Sequence, residues 1–339
     1  MWAWNIRQMG VMDLPALISR VLAETGFPKL GLVSHSQGTT QTFVALAKGQ
    51  RPDLGDKISV FCALAPAVYA GPLIGKMYFK FMRVISPGFF RVFFGIHAFI
   101  PLMMTMHALL PGKIYGALGY RVFSFLFDWT DDRWDQGLRD RCFQFAPVYV
   151  SAESMRWWLG RECFAKQKCI LATREEAQRE DAEDGVRPLA EVDEEEDDSA
   201  DEFAGTSYIQ GEDDNTRKRR HAEEIRKRGS KAWYDHHVPP IALWVAGSDK
   251  LVDGKRLLRR FRMGREPHVK VVHEKVIEEY EHLDVIWAMD VIEKVGREIR
   301  DVIWKTVPDD LRESCRAPTD FKQIAASELN GGNALGKSD

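Results

Sequence analysis

Residues 30–40 have the sequence LGLVSHSQGTT, and they decide the fold class of the chain. The apolar run 30–33 predicts a short strand, and residues 39–48 after the turn predict a helix. Upstream, helical spacing of apolar residues predicts another helix, with Asp13 as its N-cap and Gly26 at its end. The local order is therefore helix, strand, sharp turn and helix.

Ser36 stands in this turn, with the small residues Ser34 and Gly38 two positions to either side. A serine between a strand and a helix is typical of a nucleophile elbow, where small neighbours let the two backbones approach closely. We therefore predict Ser36 as a nucleophile and the backbone N–H of Gln37 as a donor to a developing oxyanion. His35 is predicted to be structural or to line the cleft.

Further apolar runs repeat the strand pattern. Residues 58–64, 241–246 and 269–272 predict strands, and a helix is expected over about residues 285–304. Apolar strands that alternate with helices favour a parallel sheet of the α/β class.

A serine nucleophile needs a histidine base and an acid, which in this fold follow in the order serine, acid, histidine. Asp249 comes directly after the predicted strand 241–246, and His282 precedes the final helix. Asp253 is the competing acid, and Asp284 is a third, weaker candidate. The sequence predicts Ser36, Asp249 and His282 as the catalytic set.

Residues 92–110 contain no formal charge. A charge-free stretch of this length is long enough for a membrane span. Gly95 and Pro101 interrupt the stretch, and Arg91 precedes it. Three interpretations stay open at this point: a cap or membrane-surface helix pair, a true span, or a plain core segment.

Charge is distributed unevenly along the chain. Residues 175–214 hold 18 acidic and two basic residues, and residues 215–231 hold eight basic and two acidic residues. The net charge of −3 is thus a cancellation, and the rest of the chain is mildly basic. This balance does not imply nucleic-acid binding.

The five cysteines are an odd number at irregular spacing, which fits neither a disulfide framework nor a metal site. A reducing compartment is the default expectation. The N-terminus lacks the pattern of a secretion signal, and the chain is expected to begin within a domain.

Three segments, SHSQGTT, GSDKLVD and EHLDVIWAMD, together resemble the acid-lipase family, which includes lysosomal acid lipase, gastric lipase and fungal steryl-ester hydrolases. The flanking segments DLPALI and PVYVSAESMRWW are similar to the family as well. The resemblance implies a partial α/β-hydrolase fold with a helical cap insertion, and Ser36, Asp249 and His282 as nucleophile, acid and base. It implies hydrolysis of steryl esters or triacylglycerols without a cofactor or metal.

The resemblance also implies binding partners and a cellular location. We expect a neutral lipid ester substrate, a membrane or lipid-droplet surface, and an intracellular location such as the endoplasmic reticulum or lipid droplets. The predicted organisation is a first core part, a cap, a disordered acidic and basic insert, a second core part and a flexible tail, over residues 1–70, 71–172, 173–231, 232–306 and 307–339 respectively.

One departure from the family concerns the segment before Ser36. The family has about 100 more residues there, which include strands and a loop with a second oxyanion donor, and loss of one donor costs about 10²- to 10³-fold in rate. The strand 30–33 would then be an exposed apolar edge. We expect either a fragment or an impaired paralogue that acts as a lipid- or membrane-binding protein.

Overall fold

The structure, a computed structural model, describes residues 4–146, 149–160, 164–185 and 229–315. Within this part of the chain, four strands form a parallel sheet in the order β1–β2–β3–β4. The strands are β1 (Leu30–His35), β2 (Ile58–Leu64), β3 (Ile241–Ala246) and β4 (Val271–Ile277).

Helices surround the sheet and occupy much of the described chain between β2 and β3. Their bounds are α1 (Ile6–Gln8), α2 (Leu14–Thr25), α3 (Gln37–Leu46), α4 (Met77–Val84), α5 (Pro87–Phe94), α6 (Leu102–Leu109), α7 (Gly112–Phe127), α8 (Gln136–Phe143), α9 (Ala152–Leu159), α10 (Phe164–Gln167), α11 (Arg174–Glu183), α12 (Gly254–Arg262), α13 (Asp284–Trp287), α14 (Arg297–Thr306) and α15 (Asp309–Arg312).

Both faces of the sheet are covered. On one face, Phe43 of α3 and Leu257 of α12 pack with Phe61 of β2. On the other, Trp244 of β3 packs with Val302 of α14. Because β2 and β3 are buried at every position, the two strands read as continuous apolar runs. This three-layer arrangement confirms the predicted α/β class.

The predicted bounds of β2 and β3 are confirmed, but those of β4 are wrong. β4 runs from Val271 to Ile277 rather than over 269–272, and it carries the polar residues His273, Glu274 and Lys275. These three residues interrupt the apolar pattern in the middle of the strand, before Val276 and Ile277. Among the described residues, β1 pairs with β2 alone, and Val33 on it is 42% exposed, as expected for an edge strand.

The first helical segment begins earlier than predicted. Asn5 is its N-cap and forms a capping box with Gln8, and a π-helical stretch, Met9–Asp13, joins α1 to α2. Asp13 has helical φ and ψ and caps nothing. The predicted end is confirmed, because Gly26 adopts the left-handed conformation at the C-terminus of α2.

The charge-free stretch 92–110 contains the end of α5 and all of α6 rather than one long helix. Gly95, with φ of 110°, ends α5, and Pro101 stands at the start of α6. Val92 is 78% exposed, so the plain-core interpretation does not hold for it. In the described ranges, no helix combines the length and apolar character needed to cross a membrane.

The predicted disordered insert, residues 173–231, needs a correction at its start. Residues 174–183 form α11, which begins with a capping box between Thr173 and Glu176. Ion pairs hold this helix on α12, among them Arg256 with Asp181 at 2.7 Å. The carboxylates of α11 that suggested disorder thus pair with arginines of α12 about 75 residues away in sequence. Residues 186–228 of the insert lie outside the described ranges.

The final helix was predicted over 285–304, but it is divided. The short helix α13 is followed by a π-helical stretch, Ile292–Gly296, and then by α14. The predicted flexible tail starts at 307, yet residues 309–312 form α15. Residues 316–339 are outside the described part of the chain.

Candidate active site

The turn between β1 and α3 has the geometry of a nucleophile elbow. Ser36 has φ of 50° and ψ of −118°, a conformation that L-residues rarely adopt. A Cβ atom added to Gly38 would lie 3.1 Å from the Cβ of Ser34, which shows why both positions hold small residues. The turn thereby lifts Ser36 out of the sheet at the carboxyl end of β1.

The structure brings Ser36, His282 and Asp249 together from three separate loops. His282 Nε2 lies 2.7 Å from Ser36 Oγ, and His282 Nδ1 lies 2.6 Å from Asp249 Oδ2. The side chains of His282 and Asp249 are 4% and 2% exposed. In this arrangement the imidazole can donate its Nδ1 proton to the carboxylate and accept the hydroxyl proton at Nε2.

The acid loop fixes the carboxylate of Asp249 from the other side. Asp249 Oδ1 accepts hydrogen bonds from the backbone N–H groups of Leu251 and Val252, at 2.8 and 3.1 Å. The second oxygen of the carboxylate is therefore left to face the imidazole. This pairing gives the acid one defined orientation.

The competing acids have other contacts. Asp253 is the N-cap of α12, where its Oδ1 accepts a hydrogen bond from the Arg256 backbone N–H at 2.9 Å. Asp284 accepts a hydrogen bond from Trp134 Nε1 at 2.7 Å. Of the three candidate carboxylates, the one that contacts His282 is that of Asp249.

Gln37, the predicted source of an oxyanion donor, is the first residue of α3. Its backbone N–H follows Ser36 directly at the positive end of the helix. Its side-chain amide oxygen accepts a hydrogen bond from Trp158 Nε1 of α9 at 3.0 Å. The cap thus contacts the elbow at Gln37. The two residues are 121 positions apart in sequence, so no local pattern predicts this contact.

Two aromatic groups lie beside His282, and one of them, Trp129, was not singled out from the sequence. The ring of Trp129 is nearly parallel to that of His282, with an angle of 5° and centroids 6.5 Å apart. Trp129 is 7% exposed. It comes from the segment between α7 and α8. The described residues include no group of three or more His, Cys, Asp or Glu arranged to hold a metal ion.

His35 is the second such group. Its Nε2 donates a hydrogen bond to the backbone carbonyl of His282 at 3.0 Å, so the residue supports the loop of the base. Burial, together with the nearby charge of His282, lowers the pKa of His35 to about 4. His35 is therefore neutral at neutral pH and can keep this hydrogen bond.

This pKa predicts a loss of stability in acid. An unfolded chain protonates His35 near its ordinary pKa of 6.5, while the folded chain does so near 4. The unfolded state therefore binds more protons in this window, and the free energy of unfolding falls by about 3 kcal/mol from pH 6.5 to pH 4. We expect His35→Gln to show a smaller fall in urea titrations over this window; parallel curves for the two proteins would contradict the assignment.

Comparison with known proteins gives a sterol esterase and lipases as relatives of this chain. The chain is 39% identical over 303 residues to sterol esterase 2 of Saccharomyces cerevisiae, an alignment that covers 87% of this chain and 51% of that protein. It is 24% identical over 319 residues to human gastric triacylglycerol lipase, which covers 89% of this chain and 64% of that protein. These relatives support assignment of the chain to the acid-lipase and steryl-ester hydrolase family.

Among these acid-lipase relatives, the chain spans about half the length of the first curated proteins it matches, 51% and 56%. No protein-family profile matches it. Among solved structures, a peroxisomal alpha-beta-hydrolase from Saccharomyces cerevisiae aligns with 99% of this chain and 71% of that chain, with 12% identity and a TM-score of 0.42.

Proposed function

We propose that this acid-lipase family member hydrolyses esters of neutral lipids, steryl esters or triacylglycerols, through an acyl-enzyme on Ser36. The observation that carries the proposal is the continuous set of hydrogen bonds from Ser36 Oγ through His282 to Asp249, at 2.7 and 2.6 Å. Nucleophilic catalysis at an ester carbonyl needs this order of groups.

In the first half of the reaction, Ser36 Oγ attacks the ester carbonyl carbon while His282 Nε2 takes its proton. The negative oxygen of the tetrahedral intermediate faces the backbone N–H of Gln37. The intermediate then breaks the bond to the alcohol oxygen, and His282 returns the proton to that oxygen. A sterol or a diacylglycerol leaves, and the acyl group stays on Ser36.

In the second half, water replaces the alcohol. His282 takes a proton from the water molecule as it attacks the acyl carbon, and the same N–H of Gln37 faces the oxyanion. Collapse releases a fatty acid, and the proton returns to Ser36 Oγ. Asp249 holds the imidazole in one tautomer and stabilises its charged form throughout.

The direct test is release of fatty acid from emulsified cholesteryl oleate and from trioleoylglycerol. Release by the wild-type chain and not by Ser36→Ala would support the proposal. Release by both proteins would exclude Ser36 as the nucleophile, while release by neither would favour the non-catalytic lipid-binding alternative. The ratio of the two rates would also show whether steryl or glyceryl esters are preferred.

A second proposal concerns the surface on which this chemistry occurs. The cap helices α4 to α7 carry large exposed apolar side chains, which we name the apolar cap face: Met77, Phe81, Val84, Phe89, Val92, Phe93, Leu102, Met106, Leu109, Ile114, Leu118, Val122 and Phe125. Exposed apolar area of this extent marks a surface that binds a partner or a lipid layer.

Charge supports an anionic lipid layer as the partner. Residues 77–127 contain five basic residues and no Asp or Glu. On α7 the exposed residues Lys113 and Arg121 lie to one side of the apolar stripe that includes Ile114 and Val122. A helix with an apolar stripe and basic residues beside it is typical of proteins that lie in the membrane interface. We propose that the chain docks on intracellular lipid surfaces, the endoplasmic reticulum or lipid droplets.

Vesicle flotation tests this docking. We expect the chain to float with phosphatidylcholine vesicles, and to bind about tenfold or more tightly when phosphatidylserine is added, since each basic residue near the surface contributes about 1 kcal/mol. Phe93→Asp, at a position 62% exposed, should weaken flotation, whereas the control Ile292→Asp, at 59% exposed, should not. Equal flotation of both variants, or none by the wild type, would contradict the proposal.

A further inference from the structure

The segment between α7 and α8 runs across both loops that carry His282 and Asp249. We name residues 128–134, DWTDDRW, the strap. At its start, Asp128 Oδ2 accepts a hydrogen bond from Lys250 Nζ at 2.9 Å, and it lies 3.1 Å from Lys76 Nζ. Lys250 directly follows Asp249, so this end of the strap is fixed to the acid loop.

The other end of the strap reaches the histidine loop. Trp134 Nε1 donates to Asp284 Oδ1 at 2.7 Å, and Asp284 Oδ2 accepts from the backbone N–H of Glu281 at 2.8 Å. The carboxylate thereby closes a tight turn around His282. Trp134 and Asp284 are 3% and 2% exposed, so water cannot replace either partner readily.

This buried carboxylate depends on its donors. Burial raises the pKa of Asp284, and the hydrogen bonds from Glu281 and Trp134 oppose that shift because they stabilise the ionised form. Removing one donor leaves a buried acceptor unpaired, which costs about 1–3 kcal/mol. The turn that carries His282 would then rearrange to recover a partner.

Further contacts tie the middle of the strap to the same loop. The backbone N–H of Thr130 donates to Glu281 Oε2 at 2.5 Å, and Arg133 Nε donates to the carbonyl of Glu279 at 3.1 Å. The two partners, Glu279 and Glu281, lie just before His282 in the sequence. The strap thus contacts the histidine loop on both sides of the base.

We propose that Trp134 and Asp284 are positioning residues, which hold His282 in line with Ser36 and thereby make the cap part of the support of the base. The inference rests on the proposed ester hydrolysis for its kinetic consequence. Neither residue touches the reacting atoms. Because displacement of a catalytic group by about 1 Å can cost on the order of 100-fold in rate, a relaxed turn should lower kcat.

The experiment compares Trp134→Phe and Asp284→Asn with the wild-type full chain on a soluble p-nitrophenyl ester. We expect kcat to fall about 10- to 100-fold while KM changes less than about threefold. The matched control is Glu298→Gln, which alters another tryptophan–carboxylate contact, Trp244 Nε1 to Glu298 Oε2 at 2.9 Å, between β3 and α14. It should leave kcat unchanged.

A second readout does not depend on turnover. The proton on His282 Nδ1, which faces Asp249 at 2.6 Å, should give a far-downfield proton resonance in the wild type and in Glu298→Gln. In Trp134→Phe and Asp284→Asn we expect this resonance to move upfield or to exchange with solvent. Replacing Trp134 with 3-benzothienylalanine, which keeps the bicyclic shape and lacks the N–H, tests the hydrogen bond without opening a cavity.

The outcomes separate the two proposals. Wild-type kcat together with an unchanged resonance in the strap variants would overturn the positioning role. A wild-type chain that cleaves no ester, but whose resonance is lost in the strap variants, would contradict the proposed function and support the positioning role. A fall in kcat with no change in the resonance would mean that the strap acts elsewhere, and it would also overturn the inference.

Discussion

Alanine at position 36 is expected to lower kcat/KM for a soluble p-nitrophenyl ester by about 10⁴-fold or more. The hydroxyl oxygen that lies 2.7 Å from His282 Nε2 is the atom that would form the acyl-enzyme. Without it, substrate binding and the Gln37 N–H remain, but neither supplies a nucleophile. The measurement is steady-state hydrolysis with protein whose folding has been checked by circular dichroism.

Ser34→Ala is the matched control for this substitution. Ser34 lies near the end of β1, and its buried hydroxyl has no hydrogen-bond partner among the described residues, so its removal should change activity less than about threefold. A fluorophosphonate probe should label Ser36 in this control as in the wild type. If Ser36→Ala kept a tenth of the wild-type activity, or if the probe labelled a different serine, the nucleophile assignment would be wrong.

Asp249→Asn should have the second largest effect, a loss of about 10³- to 10⁴-fold in kcat. The amide can turn its NH₂ toward His282 Nδ1, which favours the tautomer whose Nε2 bears a proton and cannot accept one from Ser36. Since Leu251 and Val252 donate to the other oxygen, the side chain stays in place and the loss reflects charge and tautomer.

Asp253→Asn provides the comparison for the same chemistry four residues away. Asp253 caps α12 through the backbone N–H of Arg256, and asparagine is an equally good N-cap. We therefore expect kcat and the free energy of unfolding to change little. A larger loss of activity for Asp253→Asn than for Asp249→Asn would show that the acid has been assigned to the wrong residue.

The core of the fold could be predicted because its central strands are local apolar runs in the sequence. β2 and β3 are buried on both faces, so their apolar runs have the same bounds as the strands. β4 has apolar residues at both ends and polar residues in the middle, and the apolar run alone therefore placed the strand too early. The first helix was misjudged because Asp13 looked like an N-cap, whereas Asn5 and Gln8 already cap an earlier start.

The site was predictable only in part. The chain order of serine, acid and histidine pointed to the three residues that the structure brings into contact, and strand-end position favoured Asp249 over Asp253. The contacts of Trp134 with Asp284 and of Trp158 with Gln37 join residues more than 100 positions apart, and no local pattern reports them. The position of α11 could not be predicted for the same reason. Its acidic residues suggested disorder, and the arginines that pair with them lie on α12, far away in sequence.

The backbone of Ser36 bears on how this chain has evolved. A residue with a Cβ atom held at φ of 50° outside the common left-handed well costs on the order of 1–3 kcal/mol, while glycine would adopt the same conformation at little cost. A lineage that had stopped using the hydroxyl would gain thermal tolerance by a single serine-to-glycine change. Selection for stability would then favour that change, so a serine at this position is expected to persist only while its hydroxyl is used in chemistry.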